Sequence, residues 1–239
     1  MGGGSEMSTF DLYAKQYQNL LDQSVSISGE PGAYFAEVKA RYLASVLSPD
    51  FDGRLLDFGC GVGLLSRRLL RHLPRAKLDG YDPSDRSIAT IDGELTERGS
   101  FTSNRERLRS DYDGIVVANV MHHIPATERQ ATLDFLAARL SGAGHLFIFE
   151  HNPLNPMTCL AVCRCPFDED AVLLWPSEAR RIIGNSGLRS PRPDYLIFFP
   201  RFLRTIRFLE KRLTWCPLGA QYVVVARRLP STDNGGAEK

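Results

Sequence analysis

Leu55–Leu69 reads LLDFGCGVGLLSRRL, an apolar strand that runs through a glycine-rich turn directly into a helix. Leu55, Leu56 and Phe58 form the buried lead-in, interrupted by Asp57. Gly59, Gly61 and Gly63 let the backbone turn sharply and approach a ligand without Cβ collisions. The helix that follows offers unpaired N–H groups at its start. A dinucleotide-binding turn follows the spacing G-x-G-x-x-G/A. Here the third glycine arrives one residue early and Leu64 fills the slot that a nicotinamide enzyme gives to glycine. The spacing disfavours a hydride-transfer enzyme and leaves another nucleoside ligand open.

Working outward, Lys77–Tyr81 reads as a short second strand ending at Asp82, Pro83 and Ser84. An acid about twenty residues past such glycines is placed to accept hydrogen bonds from ribose hydroxyls. D-P-S is also good turn chemistry, so a purely local role for Asp82 stays open. Gly114–Asn119 is a further strand, the fourth along the chain, followed by Val120, Met121, His122 and His123.

Together, D-F-G-C-G-V-G at Asp57–Gly63, the acid Asp82 and the D-hydrophobic-N-hydrophobic-H-H run from Asp113 resemble class I S-adenosylmethionine (SAM) methyltransferases of the small-molecule type. The resemblance implies SAM as cofactor and S-adenosylhomocysteine (SAH) as product. It places Asp57, Gly59, Cys60, Gly61 and Gly63 around the cofactor, with Asp82 and Pro83 at its ribose end. Asn119 and Val120 then lie near its methionine part, and His122 and His123 near the methyl group. Histidine is the usual general base near neutral pH, although either histidine could instead brace neighbouring loops. Phe10–Tyr17 resembles the F-D…A..Y opening of the same family, where a helix closes over SAM with a tyrosine, here Tyr17, on its inner face. Tyr13 and Tyr17 also read as one half-buried stripe. Family members often bind the adenine amino group with an acid after the third strand; Ser103 or Asn104 stands there instead.

The remaining pattern alternates strands and helices: strand 54–58, helix 61–73, strand 77–81, helix 84–98, strands 100–103 and 114–119, helix 127–141 and strand 144–150. Such alternation argues a parallel sheet covered on both faces. The expected fold is α/β and Rossmann-like, with a seven-stranded mostly parallel sheet, an N-terminal helical cap and an inserted helix before the last strand. In this division residues 1–8 are a disordered leader (Met7 reading as a natural start), 9–48 the cap, 49–229 the core and 230–239 a disordered tail. Substrate-loop insertions fall at 152–177 and 201–216.

At the fifth strand end, Glu150 and His151 sit at the mouth of the expected pocket, as a proton-handling pair or as loop braces. His123, His151 and Glu150 are therefore the catalytic candidates. Asp168, Glu169 and Asp170 read most simply as a solvated helix start. Cys159, Cys163 and Cys165 lack the pair spacing of a zinc site, so small packing residues and no metal are expected. Ser177–Ile183 is a helix, Tyr195–Phe199 a sixth strand and Gln221–Ala226 a seventh. Between these strands, 201–213 has helical spacing, with Phe202, Ile206, Leu209 and Leu213 on one side and five basic residues elsewhere. It reads either as a core-packed helix with a solvated basic face or as a surface for an anionic, lipid-linked or membrane partner.

With 239 residues and a net charge of +1, the chain suits one large domain and gives no electrostatic reason to expect nucleic acid. Five cysteines fit a reducing compartment, and no eighteen-residue apolar run or signal pattern is present, so a cytoplasmic enzyme is expected. The expected activity is methyl transfer from SAM to an oxygen or nitrogen of a small-molecule acceptor, natural-product, sugar or lipid-linked. The alternatives are non-methyl chemistry such as cyclisation on the same scaffold, or non-catalytic binding.

Overall fold

The structure is a computed structural model that describes residues 29–165, 168 and 170–228. Tyr17, the first expected helix, the leader and the tail lie outside these residues.

The sheet has eight strands in the order β3-β2-β1-β4-β5-β8-β6, with β7 also paired to β8. Strands β1 (Arg54–Phe58), β2 (Lys77–Tyr81), β3 (Phe101–Thr102), β4 (Tyr112–Ala118) and β5 (Leu140–His151) are mutually parallel. β8 (Gln221–Arg228) runs antiparallel to β5, and β6 (Leu188–Arg189) and β7 (Asp194–Leu196) pair with its other edge. The expected seven strands become eight because Leu188–Arg189 pairs with Arg227–Arg228, a two-residue contact too short to leave a sequence pattern.

Strand order reverses between β1 and β4, which opens a crevice beyond the carboxyl ends of the parallel strands. The alternation of side chains builds a core on each face. Ile115, Val117, Leu146, Ile148 and Val224 point to one, and Val116, Phe147, Phe149 and Val223 to the other. Leu55 and Leu56 are fully buried on opposite faces. Each contributes about 1.5–3 kcal/mol by leaving water.

Helix α1 (Gly32–Leu47) buries Ala36, Lys39, Ala40, Leu43 and Ala44 against α2 (Leu64–His72) and the sheet. A lysine in that stripe is out of place for packing alone. The expected helix 84–98 is two short helices, α3 (Asp85–Ala89) and α4 (Glu94–Arg98). Gly93, at φ 55° and ψ −127°, caps the second and breaks the continuity. Helix α5 (Arg129–Ala138) precedes β5, α6 (Pro156–Cys163) follows it, and α7 (Pro176–Asn185) precedes β6. The 201–213 segment is not a core-packed helix. Arg201–Arg212 forms 3₁₀ turns kinked at Leu203, with no residue buried. Among the described residues no helix is long and apolar enough to cross a membrane.

Candidate active site

One cavity of about 440 Å³ runs along the crevice, from the glycine turn to the loops after β4 and β5. At the cofactor end, Gly59 has φ 82°, and a Cβ there would stand 2.2 Å from Val120 Cγ2. The turn and the loop after β4 thus touch as only glycine permits. The amides of Gly59 and Cys60 donate to the Tyr81 carbonyl at 2.7 and 2.9 Å. The Gly61 amide donates to Asp82 Oδ2 at 2.8 Å and the Ser84 amide to Asp82 Oδ1 at 3.0 Å. Asp82 therefore organises its own turn, braces the glycine loop and faces the cavity. The two sequence readings of Asp82 are compatible.

Asp57 also lines the cavity; its carboxylate accepts from Ser66 Oγ at 2.6 Å, and burial pushes its pKa up to about 6. Burial raises the Cys60 thiol well above its usual range, which removes it as a nucleophile near neutral pH. Pro83, Asn119 and Val120 complete this end. Asn119 holds φ 57°, which asparagine tolerates better than most residues. Its Oδ1 is buried without a hydrogen-bond partner. A buried acceptor left without a donor costs about 1–3 kcal/mol, so the atom is positioned for a donor in the cavity. Ser103 instead donates its hydroxyl to Asp85 and is not in the cavity wall, nor is Gly63, which caps α2.

Lys39 was missed by sequence reading. It is only 6% exposed, lines the cavity, and burial brings its pKa down to about 8 against the pull of Glu150 and Asp57. The available signal was a lysine three residues after Ala36 and four before Leu43 on one apolar stripe.

The other end is built by long-range contacts. Glu150 is fully buried and does not pair with His151. Its Oε1 accepts from the amides of Val120 and Met121 at 3.1 and 2.8 Å, and its Oε2 lies 2.5 Å from His122 Nδ1. His122 Nε2 lies 3.3 Å from Asp168 Oδ1. Burial opposes charge on His122, but Glu150 and Asp168 together raise its pKa to about 9. Asp168 is not a solvated helix start: its side chain is 10% exposed and also meets His123 Nε2 at 3.4 Å.

His123 and His151 both line the cavity, and burial with the nearby His122 charge lowers each to about 4. Both are neutral at pH 7 and able to accept a proton. Gln221, paired opposite His151, also faces the cavity with its buried Oε1 unpartnered. The three clustered cysteines diverge. Cys159 Sγ meets the Pro153 carbonyl, Cys163 is exposed, and Cys165 enters the cavity wall.

Two sets of contacts brace the cavity wall. Asn152 Nδ2 donates to the carbonyls of Pro217 and Gly219, and Thr158 Oγ1 to that of Ala220. Arg207 donates to the Phe199 carbonyl, pairs with Glu30 at 3.0 Å and lies 4.5 Å from the Tyr34 ring centroid. Only Arg207 of the 201–213 segment reaches the cavity; Phe202, Phe208 and Trp215 are 81%, 70% and 74% exposed.

Residues 56–146, which carry the glycine turn, Asp82, Asn119 and the histidine pair, match a family described as a methyltransferase domain. The ribosomal RNA small subunit methyltransferase C of Salmonella choleraesuis is 31% identical over 127 residues, covering 50% of this chain. The chain spans only 36% of that relative's length. Among solved structures, a SAM-dependent methyltransferase from Archaeoglobus fulgidus superposes with a TM-score of 0.66 at 13% identity, covering 92% of this chain and all of that one. The magnesium protoporphyrin IX methyltransferase of Synechocystis, solved with bound SAH, superposes with a TM-score of 0.61 at 17% identity, covering 95% and 90%. Residues 56–146 thus match a methyltransferase domain, and the fold of the chain is the one these SAM-dependent methyltransferases share.

Proposed function

We propose that the protein transfers the methyl group of SAM to an oxygen or nitrogen of a small amphipathic molecule. The single observation that carries this reading is one cavity joining the glycine turn and Asp82 to the neutral imidazoles of His123 and His151.

Asp82 accepts from the ribose hydroxyls, while Lys39 meets the carboxylate of the methionine part and Asn119 Oδ1 its ammonium. Asp57, Gly59, Cys60, Gly61, Pro83 and Val120 shape the bed of the cofactor. The acceptor lies between the histidines and the wall of Met157, Val162, Phe198 and Phe199. SAM held there would supply an activated methyl group to the acceptor's lone pair, with SAH as the leaving group. Where the acceptor is a hydroxyl, its proton passes to His151 or His123. The sulfonium is already activated, so the chain supplies alignment, exclusion of water and a proton acceptor. Glu150, bonded to His122 and two amides, positions the loop after β4.

The apolar acceptor end and the net charge of +1 favour a small molecule over ribosomal RNA. SAH release in the presence of phenols, aromatic carboxylates, amines or undermethylated small-subunit RNA tests this choice. Release with a small acceptor, and a product heavier by one methyl group, is expected. Release with RNA alone would overturn the reading, and release with no product methylation would favour non-methyl chemistry.

A further inference from the structure

We infer that His122, His123 and Asp168 form a binding site for a divalent cation of the zinc type, with its fourth coordination position open to the acceptor end of the cavity. The three side chains come from the turn after β4 and from the connection after α6, more than forty residues apart, and their ligand atoms all lie within 4.8 Å of one another. Asp168 Oδ1 is 3.3 Å from His122 Nε2 and 3.4 Å from His123 Nε2. Nitrogen and oxygen ligands at about 2.0–2.1 Å on a tetrahedral zinc stand roughly 3.3 Å apart. The two separations have that value, and the two histidines bring their ligand nitrogens within 4.8 Å of each other.

The surroundings match as well. A histidine ligand bound through one nitrogen characteristically gives its other N–H to a carboxylate, which fixes the ring and raises its basicity. His122 has this arrangement: Nε2 faces Asp168 while Nδ1 is held 2.5 Å from Glu150 Oε2. Glu150 is fully buried and is fixed in turn by the amides of Val120 and Met121. Two imidazoles and one carboxylate suit zinc, and also iron or cobalt, better than magnesium or calcium, which require oxygen ligands. His122, His123 and Asp168 all line the cavity that reaches the cofactor bed, so the open position faces the acceptor. On the methyl-transfer reading, an acceptor oxygen completes the shell and His151 remains to take its proton. The cation site itself does not depend on that reading.

The full chain, stripped with a chelator and dialysed, would be titrated with Zn²⁺ by calorimetry and with Co²⁺ by visible absorption. One equivalent should bind, with the intense d–d bands of a four- or five-coordinate cobalt. His123→Ala and Asp168→Asn should each weaken binding at least tenfold and abolish the bands, while SAH affinity measured on the same samples changes less than about threefold. Circular dichroism on the variants separates lost ligands from lost folding. No binding by the wild-type protein at ~100 μM metal would overturn the inference, as would undiminished binding in both variants, which would place the cation elsewhere. SAH binding without metal binding would reject the cation site alone; metal binding without SAH binding would reject the methyl-transfer reading alone.

Discussion

The two ends of the cavity are made in opposite ways. The cofactor end is largely contiguous: the end of β1, the glycine turn and the start of α2 supply Asp57, Gly59, Cys60, Gly61 and Leu64, and the adjacent strand leads to Asp82, with Lys39 and Asn119 added from outside this unit. Its recognition rests largely on backbone geometry, with Gly59 pressed against Val120 and the amides of Gly59, Cys60 and Gly61 already bonded. The acceptor end is assembled from side chains: His122 reaches Glu150 across 28 residues and Asp168 across 46, while Asn152 reaches Gly219 across 67. A turn of fixed backbone serves one invariant ligand. A wall of side chains on separate loops can change its acceptor without disturbing the donor site.

Substitutions should reveal that separation. The largest effect is expected at the acceptor end. His151→Ala should lower turnover by about 10²–10³ while leaving the SAH dissociation constant within about threefold, as removal of a general base does. A parallel loss of SAH binding in calorimetry would show that the two ends are not independent.

Lys39→Met sharpens the comparison because it should move stability and binding in opposite directions. Burial lowers the lysine from 10.5 to about 8, so folding is penalised below about pH 8 and the penalty fades toward pH 10.5. Removing the charge should therefore raise stability at pH 7, by on the order of 3 kcal/mol, because the attraction to Glu150 and Asp57 is already contained in that depressed value. SAH binding should weaken about tenfold if Lys39 meets the carboxylate. Urea unfolding and calorimetry on one sample read both effects.

Asp57→Asn should have the smallest consequence at neutral pH for turnover, and a specific one for stability. Its carboxyl rises from 3.8 to about 6 on burial, so the folded state favours the protonated form. Stability present below about pH 4 is then lost as the pH climbs through about 6, by about 3 kcal/mol. The variant should show a flatter profile over that window; an unchanged profile would mean that Asp57 does not titrate there.

The same contrast explains what could be read from the residues. β1, the glycine turn and the start of α2 follow one another in the chain, so spacing alone located them. The carboxylate after β2 was legible for the same reason. Glu150 was paired in expectation with its neighbour His151, but its partner is His122, a contact that requires β4 and β5 to be aligned. Asp168 looked like surface for the same reason. Lys39 was hidden by its own helix, because periodicity registers apolar residues and passes over the polar one among them. Gly93 falls inside an apolar helical pattern, but its positive φ ends the helix there. In 201–213 the spacing was amphipathic, but a kink at Leu203 and a lack of buried neighbours left the segment as exposed 3₁₀ turns.

The central claim is that a nucleoside sulfonium lies over the glycine turn with its sugar held by Asp82. Calorimetric titration of SAH into the wild-type protein and into Asp82→Asn tests it most directly. One site of micromolar affinity in the first, weakened at least fiftyfold in the second, is the result this account requires. No heat of binding in the wild-type protein, or equal affinity in both, would contradict it.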